Sequence, residues 1–381
     1  MTPKEYKRTM TFAERNKNAV EYSLWRWWKN YTWAKFLFLI SPIVAVFVII
    51  SIFLVPTMWG KCGDTIKYRI TGTTLHIEGV GSMDQFYGKD PPWWPWHNLI
   101  RKVIISDGVT EIGLYAFYEF HHLQSVEIPA SVNSIQAWSF QECESLGEIY
   151  APGVDYVMQS AFRDCSSLQY VELSTQAFYY TFLDTGAFMN CSALETIAMQ
   201  PAAYYGSRCF YGCTRLDGLQ DICPVGIGDF AFARCSALTG VPLSRMNEPQ
   251  IGIGAFLDCT SLEKVALPSG STVIPEAMFR GCSALTEVIV PEGITAIGEA
   301  AFSGCTALRV LTLPGSLLNI EKDAFSDTTN LSVLVVPDRV FKIDPTAFRR
   351  WTASQTVMVP SLDLLPEGLV DSEANVVTNP F

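Results

Sequence analysis

A phenylalanine, usually preceded by alanine, recurs at Phe117, Phe140, Phe162, Phe188, Phe210, Phe232, Phe256, Phe279, Phe302, Phe325 and Phe348, at intervals of 22 to 26 residues. Five residues before it stands an aliphatic, mostly isoleucine, as at Ile112, Ile135, Ile227, Ile251, Ile274, Ile297, Ile320 and Ile343. Six residues after it comes leucine, from Leu123 to Leu331, in ten of the eleven copies. Two alternating apolar positions follow, such as Val126/Ile128, Val265/Leu267 and Val288/Val290, often closed by proline as at Pro129, Pro268 and Pro291. One unit of about 23 residues cannot bury these positions alone, whereas stacked units share a continuous core. The period therefore dictates a solenoid.

Each part of the unit has a physical role. The Val-x-Leu alternation has period two and predicts a short strand with one buried face. Proline ends it, because proline brings no amide to a ladder. The Ile-Gly step predicts a second short extended segment, and Ala-Phe-x-x-Cys a tight turn or single helical turn with Phe and Cys inward. Ile100–Gly113 reads as an opening unit without its Ala-Phe half, and Thr356–Pro360 as the closing strand. Twelve parallel strands are expected, from near Val103 to near Val359, in a stack roughly 55 Å long.

The repeat resembles the BspA-like, or Treponema-type, leucine-rich repeats of bacterial surface proteins, over about residues 62–360. Cys62–Phe86, followed by "PPWWPW", resembles the small β module that opens many members, with Pro92-Trp93 as the pair ahead of the first repeat. The resemblance implies a right-handed, β-rich leucine-rich-repeat solenoid of short parallel strands joined by turns or short helices. It also implies surface display, with adhesion to proteins or to other cells. The expected organisation is a basic, aromatic segment over 1–35, a transmembrane helix over 36–55, and a linker and β leader over 56–99. The solenoid then covers 100–360 and a polar tail 361–381.

Charge and hydropathy bear on location. The 381-residue chain is 49% hydrophobic and 17% charged, which excludes a disordered protein. Eight Lys/Arg against three Glu make residues 1–35 +5, which leaves −16 on the rest of a chain of net charge −11. So acidic a body is a poor nucleic-acid binder. Phe36–Val55 is an uncharged run of 20 residues, long enough to span a bilayer. Thirty-five residues precede it and no small-x-small cleavage site follows, so it reads as an uncleaved signal anchor. Preceding positive charge places the amino terminus in the cytoplasm and the repeats outside.

Eight of the eleven cysteines, Cys143, Cys165, Cys191, Cys213, Cys235, Cys259, Cys282 and Cys305, lie three residues after the repeat phenylalanine. Equivalent slots stack in parallel, so these read as small buried hydrophobes rather than bridges. Cys62, Cys209 and Cys223 remain, with no obvious pairing. No Cys-x-x-Cys occurs, and the four histidines lie in no mechanism-bearing motif, so no catalytic residue, metal ligand or cofactor is expected.

Function then belongs to the variable outward positions. One outward row begins Glu127, Tyr150, Glu172 and its neighbour Ser125, Glu148, Tyr170, while both rows end in apolar residues. The insertion Ser174–Gly186 and the following "AAYYG" add Tyr179, Tyr180 and Tyr204, with Phe178 or Phe182 as candidates to fill the core beneath the bulge. The candidate ligand-binding residues are thus Glu127, Glu148, Tyr150, Tyr170, Glu172, Tyr179, Tyr180 and Tyr204. The alternative is an ordinary solvated face. The expected function is a membrane-anchored, non-catalytic protein that binds a protein or glycan ligand outside the cytoplasm, in adhesion or envelope interaction. The other reading is an envelope-associated hydrolase or scaffold subunit that uses the repeats for targeting.

Overall fold

The computed structural model describes residues 58–174, 180–219, 222–247, 249–361 and 374–378. The basic segment 1–35, the apolar run 36–55, Phe178 and Tyr179 lie outside the described residues. Among the described residues no helix is long and apolar enough to cross a membrane. The described residues from Met58 onward belong to one compact unit, built mainly of stacked coils.

Each regular coil adds a strand to each of two ladders. In the front ladder, Lys102–Ile105, Ser125–Glu127, Glu148–Tyr150, Tyr170–Glu172 and Thr196–Ala198 pair in chain order. It resumes as Lys264–Ala266, Glu287–Ile289 and Val310–Leu311, then as Val333–Val335 and Thr356–Val359. The Ile-Gly steps build the other ladder, from Gly81–Ser82 through Cys223–Ile227 and again from Val273–Ile274 to Lys342–Ile343.

Ten of the twelve expected front strands are therefore present among the described residues. The gap falls at the coils of Leu219 and Val241. At the second, Pro242 brings no amide and the chain turns through the 3-10 segment Leu243–Arg245. A side chain joins these two coils instead. Asp217 Oδ1 accepts hydrogen bonds from the Thr239 backbone N–H at 2.8 Å and from its hydroxyl at 2.7 Å.

The turn holding the phenylalanine is built on backbone bonds between coils. Residues two before and two after each Phe take positive φ in nearly every copy, as Tyr115 (54°), Glu119 (58°), Trp138 (56°), Glu142 (63°) and Ala300 (53°) do. This conformation aims their N–H groups at the next coil. Trp138 N–H donates to the Gln159 carbonyl at 3.0 Å, Phe140 N–H to Ala161 at 2.8 Å, and Glu142 N–H to Arg163 at 2.8 Å. Three rungs per coil repay a conformation that non-glycine residues otherwise avoid.

Inside, Phe117 to Phe348 form one fully buried stack. Consecutive ring centroids lie 5.1 to 5.9 Å apart, and their planes stay within 23°. All eight ladder cysteines are buried, and all eleven thiols are free, Cys62, Cys209 and Cys223 included. Each ladder Sγ donates to the carbonyl of the preceding coil's phenylalanine, as Cys143 does to Phe117 and Cys305 to Phe279.

Both ends of the stack are closed by tryptophan. The leader strands β1 (Met58–Lys61), β2 (Lys67–Thr71) and β3 (Thr74–Glu78) form an antiparallel meander, and β3 pairs in parallel with Lys102–Ile105. Trp93 takes the place of the Phe that the opening unit lacks. It is fully buried, stacks on Phe117 at 5.7 Å, and its Nε1–H donates to the Ala116 carbonyl at 2.7 Å. At the other end Trp351, in the cysteine slot, meets Phe348 edge-on at 5.0 Å and donates to the Phe325 carbonyl. Within the stretch read as a polar tail, Asn375–Thr378 forms a further front strand beside Thr356–Val359.

Candidate functional site: the outward face of the front ladder

The site rests on strand register. Tyr170 lies opposite Glu148, and Glu172 opposite Tyr150, on neighbouring parallel strands. Tyrosine and glutamate therefore alternate in a checkerboard, pointing away from the buried Ile149 and Val171. Tyr150 is half exposed, and its ring centroid is 5.6 Å from that of Tyr170. Tyr150 Oη donates to Glu148 Oε2 at 3.0 Å, and Tyr170 Oη donates to Glu172 Oε2 at 3.1 Å.

These bonds fix the electrostatics. The Tyr150 phenol is pushed up from its ordinary value, chiefly by its bond to Glu148. That of Tyr170 is pushed up by burial and then by its bond to Glu172. Both remain neutral donors at neutral pH. Glu127, next in the row, is engaged by Lys102 in an ion pair. Glu148 and Glu172 enter no ion pair among the described residues. Each of these two carboxylates is thus held in orientation by a tyrosine hydroxyl.

Beyond Tyr170 lies exposed Thr196, its registered neighbour. A shallow depression opens there, lined by Glu195, Thr196, Arg215, Asp217, Gly218 and Ala237, with Arg215 and Glu195 ion-paired at its rim.

Of the residues expected to act together, Glu127, Glu148, Tyr150, Tyr170 and Glu172 share this face. Tyr204 belongs to the other ladder, within Ala202–Tyr205, and Tyr180 directly precedes Thr181–Leu183 of that ladder. Phe182 does not fill the core: half-buried, it stacks on Tyr204 at 5.2 Å, while Thr181 and Leu183 point inward. Tyr156 stands in register with Phe182, so the second ladder carries an outward row Tyr156, Phe182, Tyr204. The position just before each Ile-Gly aliphatic would have revealed this row, and sequence reasoning missed it. Among the described residues no group of three or more His, Cys, Asp or Glu is arranged to hold a metal ion.

The fold and its stacked phenylalanines define a leucine-rich-repeat solenoid. The chain belongs to the BspA-type leucine-rich repeat family: residues 96–217 and 225–354 match the family described as "BspA type Leucine rich repeat region (6 copies)". No curated protein matches the chain. Among solved structures it is similar to a leucine-rich repeat protein from Bacteroides ovatus, at 23% identity over 83% of this chain and 99% of that one, TM-score 0.48. One from Eubacterium ventriosum is similar at 19% identity over 76% and 94%, TM-score 0.43. The pneumococcal vaccine antigen PcpA is similar at 14% identity over 85% and 99%, TM-score 0.46.

Proposed function

We propose that this protein is a membrane-anchored, non-catalytic receptor that presents its front ladder to a protein or glycan ligand outside the cytoplasm. The observation that carries the reading is the registered Tyr/Glu checkerboard of Tyr150, Tyr170, Glu148 and Glu172. Aromatic groups with a polar tip are favoured at binding surfaces, and side chains already fixed by hydrogen bonds lose little freedom on contact. Phe36–Val55 supplies the anchor, and the positive charge before it sets the repeats on the far side.

The test is capture. The full-length chain, immobilised in detergent, is offered purified envelope polymers and extracellular matrix proteins. Capture that falls to background with Tyr150→Ala/Tyr170→Ala, at an unchanged unfolding midpoint, supports the reading. Capture indifferent to both tyrosines removes the site from this face.

A further inference from the structure

Past Thr196, the neighbour of Tyr170, one of the two outward rows of the coils loses its side chains. The slot that holds Glu148, Tyr170 and Thr196 in three successive coils holds Gly218 and Gly240 in the next two. Neither glycine has a positive φ, so no turn requires it. A Cβ built on Gly240 would meet nothing within 4 Å, so packing does not require glycine there, whereas one on Gly218 would stand 3.0 Å from the Thr196 side chain. Gly218 lines the depression beside the Glu195–Arg215 pair, and the hydrogen bonds from Thr239 to Asp217 set Gly240 on the adjoining coil. On the other side of Thr196, which also lines the depression, stand Tyr170 and, behind it, Tyr150.

These surroundings select a ligand chemistry. A tyrosine ring beside an uncovered floor offers its negative face to the polarised C–H bonds of a pyranose ring. Glu148 and Glu172, held by one phenol each, keep lone pairs for sugar hydroxyls, and the Arg215–Glu195 pair brings donors and acceptors together at the rim. A protein ligand would be held chiefly by apolar or aromatic anchors sunk in desolvated pockets, and this depression is shallow and lined largely by polar groups. Two uncompensated carboxylates repel anions.

We propose that Tyr170, Gly218 and Gly240 form a subsite for a glycan free of acidic groups, its sugar rings lying along the bare strip with one ring against Tyr170. The proposal rests on the front ladder being the binding face, as read above.

The test titrates the full-length chain in detergent with chitohexaose, cellohexaose and a heparin oligosaccharide, by calorimetry. Binding of at least one neutral oligosaccharide, and none of heparin, is expected. Tyr170→Ala should weaken it about tenfold or more, as loss of one aromatic anchor does. Gly240→Gln should weaken it comparably without moving the unfolding midpoint, because the new side chain has room but occupies the strip. The proposal is overturned if neither neutral oligosaccharide binds, if heparin binds more tightly, or if Gly240→Gln leaves binding intact. Should no oligosaccharide bind while Tyr150→Ala/Tyr170→Ala still abolishes capture of a protein, the glycan subsite falls and the binding face stands. Should neither depend on the tyrosines, both fall.

Discussion

The Sγ of Cys259 donates a hydrogen bond to the carbonyl oxygen of Phe232, one coil earlier, at 3.1 Å. The same oxygen accepts the Cys235 backbone N–H at 3.2 Å, so each ladder thiol ties its own coil to an oxygen already used by the preceding one. Burial pushes the Cys259 thiol well above its ordinary value, and a protonated buried thiol is a poor nucleophile. Alkylation of native protein at pH 8 should therefore leave the eight ladder cysteines unmodified, and all eight should react after unfolding. Mass spectrometry of the two samples checks this. Early labelling of several ladder positions would contradict the stack.

Phe256 sits between Phe232 and Phe279 with centroids 5.6 and 5.9 Å away, and it is fully buried. Phe256→Ala should lower stability by about 3–5 kcal/mol, the ordinary range for truncating a buried aromatic. Phe256→Leu should cost clearly less. Chemical denaturation should detect this locally, since each coil leans only on its neighbours and a weakened middle can open before the ends.

What the sequence disclosed followed its period. Phe256, Cys259 and Leu262 recur at fixed offsets because every coil needs the same inward volumes, and the Tyr150–Tyr170 register follows from the same offsets. Tyr156 and Phe182 obeyed an offset too, but the aromatic insertion drew attention to composition rather than position. The positive-φ turns were hidden for a different reason. Backbone bonds to the next coil impose them, so Tyr115, Trp138 and Ala300 occupy places where sequence habits would call for glycine. Across the break in the front ladder Asp217 reaches Thr239, a contact over 22 residues that no local pattern announces.

Ala300 offers a direct test of that imposed conformation. Its φ is 53°, and its N–H donates to the Lys322 carbonyl at 2.8 Å. Glycine adopts this conformation without steric cost, and the gain exceeds the extra freedom it gives the unfolded chain. Ala300→Gly should therefore stabilise the protein by about 0.5–1 kcal/mol, read as a rise in the denaturation midpoint. A fall would mean that the alanine methyl contributes more packing than strain.

Near the leader, Glu119 is set by opposed influences. Burial tends to raise its carboxyl, but hydrogen bonds from Lys89 and Tyr118 outweigh this and hold it below its ordinary value. Lys89 Nζ lies 2.9 Å from Glu119 Oε2. A carboxylate depressed in the folded state contributes stability above its unfolded value, about 4.3, and loses it as pH falls through the lower folded value. Wild type should thus lose stability in that acidic window more steeply than Lys89→Met, and the two curves should converge below it. Parallel curves from pH 6 to pH 3 would show that the pair carries no linkage.

At the carboxyl-terminal end of the front ladder, Ile289, Val310 and Val333 expose 60%, 59% and 48% of their surface. They stand on Glu287–Ile289, Val310–Leu311 and Val333–Val335, beyond the bare strip from Tyr150 and Tyr170. Exposed positions of this kind add little to a solenoid core, so Ile289→Ser, Val310→Ser and Val333→Ser together should leave the fold intact. If ligands are held by the Tyr/Glu face, the triple variant should also capture them as wild type does. An open apolar strip is itself a candidate for self-association, so sedimentation of the same variant separates the two roles. Unchanged capture with a smaller assembly would assign the strip to contacts between copies. Loss of capture here, with none in Tyr150→Ala/Tyr170→Ala, would move the binding surface to this end of the ladder.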